Sequence, residues 1–131
     1  MSEKKILIVD DDESVRGMIV RVLQKTVYRL FPVQSGEAAL AFLERGNEFD
    51  LIITDVNMPG GISGIEFLQI VRANEDYRHV ASIMMADESM PNILDICVRL
   101  NADFLLKPLS SSALLHNVHE CLGWKYSEAD P

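Results

Sequence analysis

The 131-residue chain has no excess of basic charge. Its 12 lysines and arginines face 20 acids, for a formal net charge of −8. That balance excludes unaided nucleic-acid binding, which needs a basic footprint. Such a charge serves solubility, or it marks a local cluster of acids that needs a cation. Cysteine is scarce: Cys97 and Cys121 share no C-x-x-C or zinc spacing, which excludes a zinc module of that kind. They are left as reduced thiols or one disulfide, with reduced buried thiols expected in a cytoplasmic protein. Long apolar runs are missing near the start, where Ile6-Leu7-Ile8-Val9 is too short for a signal-sequence core or a membrane span. No internal repeat, low-complexity segment or second domain stands out.

What remains is an ordinary globular composition, 48% hydrophobic and 24% charged, at a length that suits one core. The chain is organised around Phe49 to Gly61. Leu51-Ile52-Ile53 is a short apolar run that leads into Asp55, and Pro59, Gly60 and Gly61 follow. A run bounded in this way reads as a strand buried on both faces. Ile6 to Val9 reads the same way and ends in Asp10-Asp11-Asp12-Glu13. Leu30 to Val33 contains Pro32, so that strand belongs at a sheet edge. Val80 to Met85 and Phe104-Leu105-Leu106 complete the strands, the last ending at Lys107-Pro108.

Helices fill the gaps. Val15, Met18, Ile19, Val22 and Leu23 recur at helical spacing. A second helix follows Ser35 as N-cap and ends at Gly46-Asn47. The third carries Ile65, Leu68, Ile70 and Val71 from about Gly64 to Ala73. Pro91 is placed to open a fourth, with Asn101 a left-handed residue at its end. Ser110 or Ser111 caps the last, whose apolar side is Leu114, Leu115, Val118 and Leu122. Strict alternation of strand and helix predicts an α/β fold with a doubly wound parallel sheet covered on both faces. An edge at Pro32 is compatible with the flavodoxin-like strand order 2-1-3-4-5.

In that order Asp10, Asp11, Asp55 and Lys107 share the carboxyl rim of the sheet. Carboxylates that close raise one another's pKa or gather a cation. Mg2+ suits them, since it binds through one or two carboxylates plus waters and phosphate oxygens. Acids, a metal and a lysine are the parts that phosphoryl transfer needs, and an aspartate can itself become an aspartyl-phosphate.

Three pieces now carry a resemblance: Ile6-Leu7-Ile8-Val9-Asp10-Asp11, Asp55-Val56-Asn57-Met58-Pro59, and Phe104-Leu105-Leu106-Lys107-Pro108. Together they resemble the receiver domain of two-component response regulators, close to the single-domain chemotaxis type. The resemblance spans residues 4–123 and leaves 124–131 as a polar tail. It implies that Asp55 accepts a phosphoryl group from a histidine on a sensor histidine kinase or histidine phosphotransfer protein. Asp11, Asp55 and the backbone carbonyl of Asn57 would ligate Mg2+, Asp10 would act through metal-bound water, and Lys107 would pair with the phosphoryl oxygens. A downstream protein would read the face of helix four, strand five and helix five. The domain would be a cytoplasmic signalling phosphoacceptor rather than an enzyme, with no direct nucleic acid and no membrane.

Two departures from the family pattern stand out. Ala86 occupies the end of strand four, where a Thr or Ser hydroxyl usually reaches the phosphoryl group. The loop Gly60-Gly61-Ile62-Ser63-Gly64 is one residue longer than the commonest form, with Ser63 where an aspartate is common. Phe104 takes the place of an aromatic that changes rotamer on activation. Ala86 supports a second reading, an interaction module that kept the fold without switching. A third, an aspartyl phosphohydrolase, expects D-x-D after the first strand, whereas consecutive acids stand there.

Plainer roles are expected for other residues. Asp12 and Glu13 suit a helix start, and His116 and His119 a solvated face. Met58, Met84 and Met85 fill gaps, as does Met90 unless it lies on an exposed interaction face. Trp124 packs at the end of the last helix.

Overall fold

Strands that are apolar on both faces need cover on both, and helices that are apolar on one face supply it. The computed structural model describes residues 3–87 and 89–123. It answers that pattern with one five-stranded parallel sheet. The strands are β1 (Lys5–Val9), β2 (Arg29–Val33), β3 (Leu51–Asp55), β4 (Ala81–Ala86) and β5 (Asp103–Leu106). The helices that follow each in turn are α1 (Glu13–Leu23), α2 (Gly36–Glu44), α3 (Gly64–Ala73), α4 (Ile93–Arg99) and α5 (Ser111–Leu122). The order is β2-β1-β3-β4-β5, as expected. β3 is buried throughout, while β2, with Pro32, takes the more exposed edge.

Successive strand residues point to opposite faces, so each strand feeds two cores. Leu7, Val9, Ile52 and Met84 pack with α2, α3 and α4 through Ala39, Leu43, Phe67, Leu68, Val71, Ile93 and Cys97. Ile6, Ile8, Leu51, Ile53, Ile83 and Met85 pack with α1 and α5 through Ile19, Leu23, Leu114 and Val118. Each such aliphatic or aromatic side chain, fully buried, contributes about 1.5–3 kcal/mol. Side-chain caps fix the helix starts: Asp12 on α1, Ser35 on α2, Ser63 on α3 and Ser110 on α5. At the amino end of the sheet the Arg72 guanidinium donates to the carbonyls of Leu100, Arg78, Val80 and Asn101, bracing α3 against the end of α4.

Several expectations change in detail. Pro91 does not open α4; it lies in a turn, and Asn92, with φ 60°, takes the N-cap position before Ile93. A left-handed residue cannot continue a helix backwards, so the helix starts after it. Asn101 is left-handed as expected, with φ 54°. On α3 the buried set is Phe67, Leu68 and Val71, while Ile70 is 42% exposed. Both cysteines are free; Cys97 is buried and Cys121 half-buried. His119 does not lie on a solvated face, because its Nδ1 is hydrogen-bonded to the Tyr28 hydroxyl at 2.7 Å. Trp124 and the tail 124–131 lie outside the described residues.

Candidate functional site

Backbone ladders bring the site together. The Asp10 N–H donates to Val33 O at 3.2 Å, carrying the β1–β2 pairing one residue past β1. Just past Asp55, Val56 N–H donates to Met85 O at 2.9 Å, and Lys107 N–H donates to Ala86 O at 2.9 Å. The strands therefore end level, and their next side chains share one rim. One carboxylate oxygen from each of Asp10, Asp11 and Asp55 lies within 4.8 Å of the other two. Lys107 Nζ stands 3.0 Å from Asp55 Oδ1 and 3.5 Å from Asp10 Oδ2. Asp10 is fully buried, Asp55 nearly so, and Asp11 is exposed.

Burial sets the electrostatics. It pushes the Asp55 carboxyl above the ordinary carboxylate value, and Asp11 adds to the rise while Lys107 opposes it. Asp10 is raised by burial and by Asp55, against the Asp12 N–H and Lys107. Burial alone would lower Lys107, but hydrogen bonds and charge from Asp55 and Asp10 outweigh it and raise the ammonium. Among the described residues Lys107 is the cation ion-paired with these acids, which leaves surplus negative charge at a partly dry rim. Such a place favours the neutral acid or a further cation.

Local supports hold these groups. Arg16, one turn into α1, donates to Asp10 O at 2.8 Å, and Asp10 Oδ1 accepts from Asp12 N–H at 2.9 Å. Thr54 Oγ1 donates to Asp55 O at 3.0 Å. Gly64, the first residue of α3, leaves no room: a Cβ there would lie 1.8 Å from Asp55 O. Its N–H donates to Val56 O at 2.8 Å. Sequence reading missed Arg16, Thr54 and Gly64 as supports. The one signal for Gly64 was a glycine just after an N-capping serine, where a side chain is ordinarily tolerated.

This rim can be set beside known proteins. A family model described as the response regulator receiver domain matches residues 6–119. The chain belongs to the response regulator receiver domain family. The rice (Oryza sativa subsp. japonica) two-component response regulator ORR6 is 36% identical over 114 residues, covering 85% of this chain and 66% of that protein. The response regulator-like PRR37 of Oryza sativa subsp. indica is 33% identical over 112 residues, covering 84% of this chain and 15% of that protein. The chain thus spans under two thirds of the length of these relatives. The solved chemotaxis response regulator CheY4 of Vibrio cholerae is 33% identical, with a TM-score of 0.82 over 92% of this chain and 100% of that one.

The receiver domain's acid set fits Mg2+ on its donor chemistry. All three donors are carboxylate oxygens, and a spacing within 4.8 Å can be drawn together around an ion with oxygen bonds of about 2.0–2.1 Å. Asn57 lies exposed at the start of the β3–α3 loop, two positions past Asp55. Ala86 is buried as the last residue of β4. Phe104 is half-buried against the α2–α4 side of the sheet, and its carbonyl accepts from Asn117 Nδ2 at 3.4 Å. Asp12 is occupied in capping, accepting from the N–H groups of Ser14 and Val15, so it stands outside the acid triad. Ser63 and Glu66 form a reciprocal capping box, which explains Ser63: serine and aspartate both cap.

Proposed function

We propose that this receiver domain is a phosphorylation-dependent signalling switch with Asp55 as phosphoacceptor. One observation carries the reading most: a buried Asp55 with Lys107 Nζ at 3.0 Å, inside a triad of acids. The donor is a phosphohistidine on a sensor histidine kinase or a histidine phosphotransfer protein. An Asp55 carboxylate oxygen attacks phosphorus, the P–N bond to the imidazole breaks, and the imidazole leaves with that electron pair. The product is an acyl phosphate on Asp55. Asp11, Asp55 and the Asn57 carbonyl would hold Mg2+, with Asp10 acting through metal-bound water, and the ion would supply charge neutralisation to the phosphoryl oxygens when bound. Lys107 is preorganised to pair with an anion at Asp55, and burial limits water around it.

Output would pass through the face of α4, β5 and α5. Leu94, Val98 and Leu106 lie there, 62%, 79% and 46% exposed, which is apolar surface that a partner protein could cover. Among the described residues no helix is long and apolar enough to cross a membrane, and we place the domain in the cytoplasm as a phosphoacceptor rather than a turnover enzyme. Ala86 favours a second reading, a receiver-fold interaction module with weak or absent switching, since a buried methyl offers no hydrogen bond to a phosphoryl oxygen. Incubation with acetyl phosphate and Mg2+, followed by intact-protein mass spectrometry, separates the readings. A single phosphoryl adduct supports the switch. No adduct favours the interaction module, and steady hydrolysis of generic monoesters would point to a phosphohydrolase.

A further inference from the structure

We propose that Glu37 is a positioning residue for the Asp55 site, tethering the tip of the β3–α3 loop to the start of α2. The proposal rests on the phosphoacceptor reading above and adds a residue to it. The loop leaves Asp55, carries Asn57, and returns at Gly64. Its base is closed by Gly64 N–H donating to Val56 O at 2.8 Å. Its exit is set by the Ser63–Glu66 capping box. Its tip is held from another element: Glu37 Oε2 accepts from Ile62 N–H at 3.0 Å.

The surfaces on both sides of this contact are shaped for it. A Cβ on Gly61 would lie 2.8 Å from each Glu37 carboxylate oxygen. A Cβ on Gly36 would lie 2.8 Å from the Ile62 side chain and 3.3 Å from Phe67 Cβ. Two glycines thus let α2 and the loop approach closely enough for the carboxylate to reach the amide. The contact lies near the far end of an eight-residue loop, residues 56–63. A longer loop has more conformations, and a tether at its tip removes most of them. With base and tip both fixed, the segment through Asn57 has little freedom beside Asp55. Freeing the tip lets that segment leave its binding geometry part of the time, and apparent affinity for a cation falls by the fraction lost.

The test compares Glu37→Ala, Glu37→Gln and Gly61→Ala with the native protein. Glutamine keeps an acceptor oxygen and discards the charge. Gly61→Ala keeps Glu37 and pushes its carboxylate away. Three readouts are taken: hydrogen exchange of the Ile62 amide without metal, Mg2+ affinity by titration, and melting temperature. Glu37→Ala and Gly61→Ala should both speed Ile62 exchange and weaken Mg2+ binding on the order of three- to tenfold, the effect of losing one hydrogen bond. Glu37→Gln should stay within about twofold of native, and the other two should melt only a few degrees below the native temperature, as the loss of one hydrogen bond implies. Native exchange and affinity in Glu37→Ala would overturn the tether. So would Glu37→Gln as impaired as Glu37→Ala, because charge rather than the hydrogen bond would then be at work. A native protein that neither binds Mg2+ nor labels on Asp55 overturns the phosphoacceptor reading, and this proposal with it.

Discussion

Asp55→Asn should make the metal-free protein more stable while abolishing its chemistry. Carboxylate oxygens of Asp10 and Asp11 lie within 4.8 Å of Asp55, and at an effective dielectric near 20 each like pair at that limiting separation costs about 3.5 kcal/mol. Lys107, 3.0 Å away, returns about 5.5 kcal/mol on the same scale. The residue of these terms is about 1–2 kcal/mol of net repulsion, to which desolvation of the buried carboxylate adds. Asparagine removes the charge and keeps an oxygen for Lys107 to donate to. The variant should gain about 1–2 kcal/mol at pH 7, which raises the melting temperature by roughly 3–6 °C per kcal/mol at this chain length. The sign has a pH signature. Burial raises the folded pKa of Asp55 above the ordinary 3.8, so the folded state holds that proton more tightly than the unfolded chain. Ionisation therefore costs stability as pH rises through that raised value. The advantage of Asp55→Asn should be full above it and vanish as pH falls below 3.8. Added Mg2+ should stabilise the native protein more than the variant and shrink or reverse the gap. Calorimetry from pH 3 to 8, with and without Mg2+, measures all of this. An Asp55→Asn protein less stable than native at pH 7 without metal would refute the charge-crowding argument.

Three other substitutions probe the rim and its readout. Gly64→Ala forces a Cβ to 1.8 Å from the Asp55 carbonyl and should cost about 3 kcal/mol or more; a melting temperature close to native would show that α3 can shift freely. Lys107→Ala leaves the acids uncompensated; proton uptake by the buried acids limits the damage, so the fold should survive with about 3–5 kcal/mol less stability without metal, and adding Mg2+ in a thermal melt should recover much of that loss. Ala86→Thr should strengthen switching tenfold to a hundredfold, from a hydrogen bond to a charged group worth about 1.5–3 kcal/mol. Chemical-shift changes around Phe104 on adding beryllofluoride would report it, and a complete shift in the native protein with no gain from threonine would make the hydroxyl dispensable.

The rim was legible in the sequence because each of its charged groups follows an apolar strand. Asp10, Asp55 and Lys107 each terminate a run whose burial can be read from residue type alone, and Pro32 fixed which strand lay outside. Contacts between distant segments were not legible. Gly64 matters because α3 starts against the backbone of β3, and His119 leaves solvent because Tyr28, 91 positions away, meets it. Glu37 looked like an ordinary acid in a first helical turn until Ile62 came within 3.0 Å of it. Pro91 misled because a proline near a helix start is common, yet the left-handed Asn92 sets the boundary. On α3 the apolar positions outnumber those a single face can hold, so periodicity admitted Ile70, which is exposed, and overlooked Phe67, which is fully buried.

The central claim is that Asp55, and no neighbouring acid, carries the phosphoryl group. Borohydride reduces an acyl phosphate to an alcohol, so a phosphorylated aspartate becomes homoserine while free carboxylates are untouched. The protein would be phosphorylated with acetyl phosphate and Mg2+, reduced, digested and sequenced by tandem mass spectrometry. Homoserine at position 55 alone, absent from the Asp55→Asn protein and from a sample without Mg2+, is the expected result. Homoserine at Asp10 or Asp11, or label that persists in Asp55→Asn, would contradict it.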